Sequence, residues 1–429
     1  MIVQELNIPG LKVTEHEFDL PLDYSDSSKG TIKVFGREVD DLKGSDKPWM
    51  VFLQGGPGFP SPDPIAKTGW LKKALTRYKV FFLDQRGTGK STPITTQSMA
   101  KFETPQEAAD YMKNFRADNI VRDCESIRKE IVGDKWTILG QSFGGFCIMR
   151  YLSYAPEGMK AAYITGGIPS LERHVDDVYT QTYKLVKKRN EDYFKQFPND
   201  RKLLNEIAQY IRDNDVYLPN GDKLSVKRLQ SLGMLLGFQQ QAEMMHYLLD
   251  SAFVEGKDGK ELSYIFRKNI MNRLSYDTNP IFILLHEAIY CQNFAFRWSA
   301  HRVREKYPEF SDEAEDVLFT GEMVYPWFFD EYTELKPLKE AANILAEYDG
   351  WEPLYDVEKM KQNTVPVAAA VYYNDMFVWR GFSEETIETV PNIKYWMTNQ
   401  YEHCGLRVGG EGLLQQLFDL LDGEIKFEC

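Results

Sequence analysis

The stretch WTILGQSFGGFCIMRY, residues 136–151, decides the fold. An apolar run with strand character leads into Gly140-Gln141-Ser142-Phe143-Gly144, and an apolar helical pattern follows until Pro156. G-x-S-x-G is frequent by chance, so its weight comes from its place at a strand-to-helix junction. A sharp turn there would lift Ser142 above the end of a sheet, and the flanking glycines remove side chains that would clash in it. The plainer alternative is a serine N-cap beside packing glycines.

Working outward, PWMVFL and YKVFFL upstream are short, wholly apolar and rich in β-branched and aromatic residues, as strands covered on both faces should be. KVTEHEFDLPL and GTIKVFGREV alternate and read as an antiparallel pair before them. TPQEAADYMKNFRADNIVRDCESIRKEIVG reads as one long helix, started by a capping box of Thr104 and Glu107 and stopped at Gly133. KAAYITGG is a further strand. From about Leu171 to Leu335 helical patterns dominate, the most apolar being TNPIFILLHEAIYCQNFAFRW. The sheet rhythm then returns with VPVAAAVYY, SEETIETV, IKYWMTN and GEGLLQQLFDLLDG as strand, helix, strand and helix. The expected class is α/β: a mostly parallel central sheet flanked by helices, with a large helical insertion before the last two core strands. The expected boundaries are 1–170 and 336–429 for the two parts of the sheet domain and 171–335 for a helical cap.

The 429-residue chain is 43% hydrophobic and 27% charged, which excludes a disordered chain. A formal net charge of −13 argues against nucleic acid or an anionic membrane as partner, because both need clustered Lys and Arg. The first residues carry neither a basic n-region nor an apolar h-region, and no apolar run reaches spanning length. Five scattered cysteines (Cys124, Cys147, Cys291, Cys404 and Cys429) lack metal-ligand spacing and read as free thiols of a reducing cytoplasm.

A serine hydroxyl needs a base and an orienting acid, in the chain order Ser, Asp or Glu, His. His16 precedes the core strands, and His174, His246, His286 and His301 lie in the helical insertion. Only His403 stands between the last strand and the last helix. Asp375 stands just beyond the penultimate strand. Ser142, Asp375 and His403 therefore fall at the C-terminal ends of three strands, where open α/β sheets place their sites. Acyl transfer also needs donors aimed at an oxyanion. The N–H of Phe143 is one, and the loop QGGPGF offers the other at Gly56; the alternative for that loop is a plain tight turn.

One segment, FFLDQRGTGKSTP (81–93), mimics the tail of a nucleotide-binding loop. The position that should be the first glycine of that pattern is Asp84, whose charge would repel a phosphate. Asp84 and Arg86 are expected instead to brace the oxyanion loop, with Lys90 replaceable.

QGGPGF, LDQRGTGKST, GQSFGG, YYNDMFV and EHCGL together resemble the prolyl aminopeptidases (proline iminopeptidases) of the α/β-hydrolase superfamily, in their long form with a large helical cap. LLHEAIYCQ and TGEMVYPWFF extend the likeness into the cap. Many relatives have histidine where Gln54 stands. The resemblance implies a serine exopeptidase that releases an N-terminal proline from peptides through a covalent prolyl-enzyme, without metal or cofactor. It also implies cap carboxylates that bind the substrate's cationic end. Glu287, inside IFILLHEAIY, matches that position better than Glu322; the alternative for each is a structural salt bridge to an arginine. Two other readings stand beside this one: an esterase or amidase for another small acyl group, and a non-catalytic hydrolase fold that only binds.

Overall fold

The apolar runs become strands because each must hide two faces. In the computed structural model, which describes residues 1–257, 259–273 and 276–425, β1 (Ile2–Ile8), β2 (Leu11–Pro21) and β3 (Thr31–Asp41) form an antiparallel meander. It is followed by β4 (Trp49–Leu53), β5 (Lys79–Asp84), β6 (Trp136–Gln141) and β7 (Met159–Thr165). A small separate hairpin, β8 (Phe253–Gly256) with β9 (Gly259–Leu262), precedes β10 (Val367–Tyr372) and β11 (Ile393–Thr398). The described residues form one nine-stranded sheet, ordered β1-β2-β3-β5-β4-β6-β7-β10-β11. It is parallel from β5 through β11 and antiparallel at β1, β2 and β3.

Side-chain alternation splits each buried strand between two cores. Val51, Leu53, Phe81, Leu83, Ile138 and Ile164 face the larger core, which continues into the helical insertion. Met50, Phe52, Val80, Phe82, Leu139 and Tyr163 face the other, where Leu413, Leu414, Leu417 and Phe418 of the helix Gly405–Asp422 cover them. Each such side chain contributes on the order of 1.5–3 kcal/mol by leaving water. Between β7 and β10 the chain is mainly helical, the longest pieces being Val175–Gln196 and Pro198–Asp213, and it adds no strand to the large sheet. No described helix is long and apolar enough to cross a membrane. The four cysteines within the described residues are buried and free; Cys429 lies outside them.

Three features differ from the sequence expectation. The edge strand β1 was not anticipated: its residues are mostly exposed, and Pro9-Gly10 turns it back onto β2. The single long helix expected after Thr104 is two, Pro105–Met112 and Ala117–Ile131. The capping box forms, but beyond Met112 the Asn114 carbonyl accepts from Arg86 (2.9 Å) and from Asn119 (3.1 Å). Side chains thus take an acceptor that a helix would have used. Third, Arg86 does not brace the loop after β4. Its fully buried guanidinium forms a bidentate pair with Asp123 (2.7 and 2.6 Å) and donates to the carbonyls of Leu22 (2.8 Å) and Pro21 (3.0 Å). It ties the end of β2 to the helix Ala117–Ile131.

Removing one partner of such a pair strands a buried charge. Arg86→Ala should therefore lower unfolding stability by about 3–5 kcal/mol, read as a lower urea midpoint.

Candidate active site

Ser142 sits between β6 and the helix Phe143–Tyr154 with φ 55° and ψ −123°, a conformation that side chains with a Cβ rarely adopt. The turn persists because its neighbours leave no other room. A Cβ on Gly144 would lie 1.9 Å from the Leu53 carbonyl oxygen, and one on Gly167 would lie 2.2 Å from the Ser142 oxygen. Backbone from β4 and from the segment after β7 thus grips the turn on both sides. The Ser142 N–H donates to the Thr165 carbonyl (2.9 Å), which fixes the turn to β7 as well.

Ser142, Asp375 and His403 come together, all buried. His403 Nε2 lies 2.8 Å from Ser142 Oγ, and His403 Nδ1 lies 2.7 Å from Asp375 Oδ2. The other Asp375 oxygen accepts the N–H groups of Phe377 (2.8 Å) and Val378 (3.1 Å), which aims the carboxylate. With Nδ1–H given to Asp375, Nε2 is free to accept the serine proton. Burial works against a charged imidazole here. The Asp375 carboxylate, its hydrogen bond and the nearby Glu322 outweigh that and hold the His403 pKa above its ordinary value.

Gly55 and Gly56 line a cavity of about 720 Å³ together with Ser142, Gln54 and His403. Phe143 follows Ser142 as the first residue of its helix. Gln85, not Arg86, steadies the loop: its amide donates to the Gln54 carbonyl (3.0 Å). Asp84 holds the far end of the same loop by accepting the Ser61 N–H (3.1 Å), and its second oxygen accepts the Lys90 N–H (3.0 Å). Lys90 itself pairs with Glu15, both contacts being 3.1 Å.

The two glutamates part company. Glu322 lines the cavity with Phe59, Met234, Phe238 and Phe282. Among the described residues it accepts no hydrogen bond, and its one basic neighbour within 4.0 Å is His286 Nε2 at 4.0 Å, a histidine that burial keeps neutral with a pKa of about 3. Burial pushes the Glu322 carboxyl up to about 7. Its segment is held from behind, since Phe319 N–H donates to Asn190 (2.9 Å) and Thr320 N–H to the Gln230 carbonyl (2.8 Å).

Glu287 is placed otherwise. It is not among the cavity-lining residues. Its oxygens accept the Ser299 (2.7 Å) and Ala300 (2.8 Å) N–H groups at the start of the helix Ser299–Arg304. Among the described residues it pairs with no arginine; Arg302 pairs with Asp176 instead. Burial, opposed by those two bonds, pushes its carboxyl up to about 8.

Sequence reasoning passed over Arg189. From the helix Val175–Gln196 it bonds Glu402 (3.0 and 2.5 Å) and the Asn374 carbonyl (3.1 Å), the residues next to His403 and Asp375. The helical segment also reaches the histidine loop directly. His403 N–H donates to the Gly237 carbonyl (3.1 Å), and Gln239 N–H to Cys404 Sγ (3.3 Å).

Glu287→Gln would face one of the two helix N–H groups with an amide –NH₂. Its thermal midpoint should fall by the equivalent of about 1–3 kcal/mol, checked by scanning calorimetry.

The alpha/beta hydrolase fold family matches residues 48–224. A proline iminopeptidase of Aeromonas sobria is 44% identical over 418 residues, 96% of this chain and 97% of the relative. A proline iminopeptidase of Aspergillus aculeatus, aneH, is 33% identical, covering 96% of this chain and 94% of its own. Among solved structures, the proline iminopeptidase of Mycobacterium smegmatis aligns over 96% of this chain and all of its own, at 10% identity and a TM-score of 0.44. With two relatives above 30% identity matched nearly end to end, the chain belongs to the proline iminopeptidases, on an α/β-hydrolase fold.

Proposed function

We propose that this chain is a serine exopeptidase that removes an N-terminal proline from peptides. Ser142 Oγ attacks the prolyl carbonyl while His403 Nε2 takes its proton, and Asp375 holds the imidazole and stabilises its charged form. The N–H groups of Gly56 and Phe143 receive the developing oxyanion. On collapse of the tetrahedral intermediate, the C–N bond breaks and His403 returns the proton to the leaving amine. Water, deprotonated by the same histidine, then hydrolyses the prolyl ester.

The observation that carries the specificity is Glu322: a carboxylate with no charged partner among the described residues, between aromatic walls, in the cavity that contains Ser142 and His403. A buried, unpaired carboxylate is costly, and a cationic imino terminus would relieve it. Phe59, Phe238, Phe282 and Met234 offer an apolar seat for a pyrrolidine ring. In this reading residues 171–335 act as a cap over the site. The substrates are peptides with a free N-terminal proline, and the buried free thiols suit a cytoplasmic setting.

Ser142→Ala should cut turnover of a proline anilide by ~10⁴-fold or more without changing the thermal midpoint. Undiminished turnover in that variant would falsify the assignment. N-acetylated proline anilide should not be cleaved; its efficient hydrolysis would instead favour a general esterase or amidase. The acid limb follows from the two raised pKa values. Proton transfer needs neutral His403, and cation binding needs ionised Glu322, so kcat/KM should rise with pH through about 7. Because the Glu322 charge raises the His403 pKa, Glu322→Gln should move the limb of kcat to lower pH while raising KM.

A further inference from the structure

The cavity that holds the nucleophile is larger than a prolyl group requires, and its polar lining is uneven. Three charged side chains other than the histidine line it: Glu322, Asp63 and Arg407. Asp63 is engaged by Arg37 at 3.2 Å. Glu322 and Arg407 are not engaged in this way. Arg407 is exposed, and among the described residues its guanidinium makes no ion pair, no hydrogen bond and no stacking contact with an aromatic ring. It stands in the first turn of the helix Gly405–Asp422, four residues after His403. A cation there opposes the helix dipole, and its field also works against protonation of His403. Among the described residues no carboxylate pairs with it there.

Among the described residues one cavity thus presents two charges of opposite sign with no protein partner: an anion from the helical segment and a cation from the sheet domain. A short unblocked peptide carries the complementary pair, a cationic imino group at one end and a carboxylate at the other. In a dipeptide that carboxylate lies within one residue of the scissile nitrogen, about 3.5 Å further along the chain. An arginine fork is well suited to receive it, because two parallel N–H groups match two carboxylate oxygens.

We propose that Arg407 is a specificity-determining residue that binds the free C-terminal carboxylate of the leaving amino acid, so that the cavity reads both ends of a prolyl dipeptide. The inference rests on the aminopeptidase reading given above. Prolyl dipeptides with a free carboxylate would then be preferred over their amides, and the preference would weaken as ionic strength rises.

The test is the ratio of kcat/KM for prolyl-alanine to that for prolyl-alaninamide, measured for the wild type, Arg407→Gln and Arg407→Lys. The comparison between variants cancels the intrinsic difference between the two leaving groups. The ratio should fall about five- to tenfold in Arg407→Gln, mainly through KM for the free acid, with part of the preference kept in Arg407→Lys. An unchanged ratio in Arg407→Gln overturns the proposal, as does a fall carried by the amide. Because the side chain has no partner to lose, the thermal midpoint of both variants should match the wild type, and a variant that melts lower counts against the description of Arg407 as free. A wild type that cleaves neither peptide nor a proline anilide would overturn the aminopeptidase reading itself. Cleavage of the anilide with an unmoved ratio would overturn only the role of Arg407.

Discussion

The site depends on the left-handed backbone of Ser142. A residue with a Cβ holds φ 55° only when its surroundings over-determine it, and here the surroundings are backbone. The Leu53 carbonyl and the segment around Gly167 approach so closely that no side chain fits at the neighbouring positions. The spacing of β4, β6 and β7 is therefore transmitted to one hydroxyl group through main chain alone. Asp375 and His403 are held by softer means, hydrogen bonds from their own loops and from the helical segment.

Much of this was legible because it is local. The buried strands announce themselves as short apolar runs, and the turn at Ser142 needs only nearby glycines and a strand-to-helix boundary. Asp375 and His403 could be picked out because a parallel sheet delivers the ends of its strands to one edge. The illegible parts depend on partners far away in the chain. Likeness to a cap carboxylate of the family singles out Glu287, with an arginine pair as the alternative; its observed partners, the N–H groups of Ser299 and Ala300, belong to a later helix. Arg86 sits in a loop beside the glycine loop that follows β4, yet its partner is Asp123, while the neighbouring Gln85 performs the bracing. The break before the helix Ala117–Ile131 depends on that same arginine.

The nucleotide-loop mimicry also has a physical account. The backbone of the Gly87–Ser91 turn does bind an anion, but one supplied by the chain. Asp84 accepts the Lys90 N–H, and a Cβ on Gly89 would lie 2.2 Å from its carboxylate. Ser91 Oγ donates to the Asp84 carbonyl (2.5 Å) and accepts the Phe35 N–H (2.8 Å), which locks the turn onto β3. The glycine that would admit a phosphate in one family here admits a side chain, and the other carboxylate oxygen is left to hold Ser61.

The bond from His403 N–H to the Gly237 carbonyl joins the proposed general base to the segment that also supplies Met234 and Phe238 to the cavity wall. On the proposed mechanism, substrate fit and imidazole position are consequently not separate traits. A sequence change that reshapes the wall near residues 234–238 also retunes the base. Selection for a new acyl group would act on reactivity at the same time, so drift in the insertion is constrained even where no side chain touches substrate.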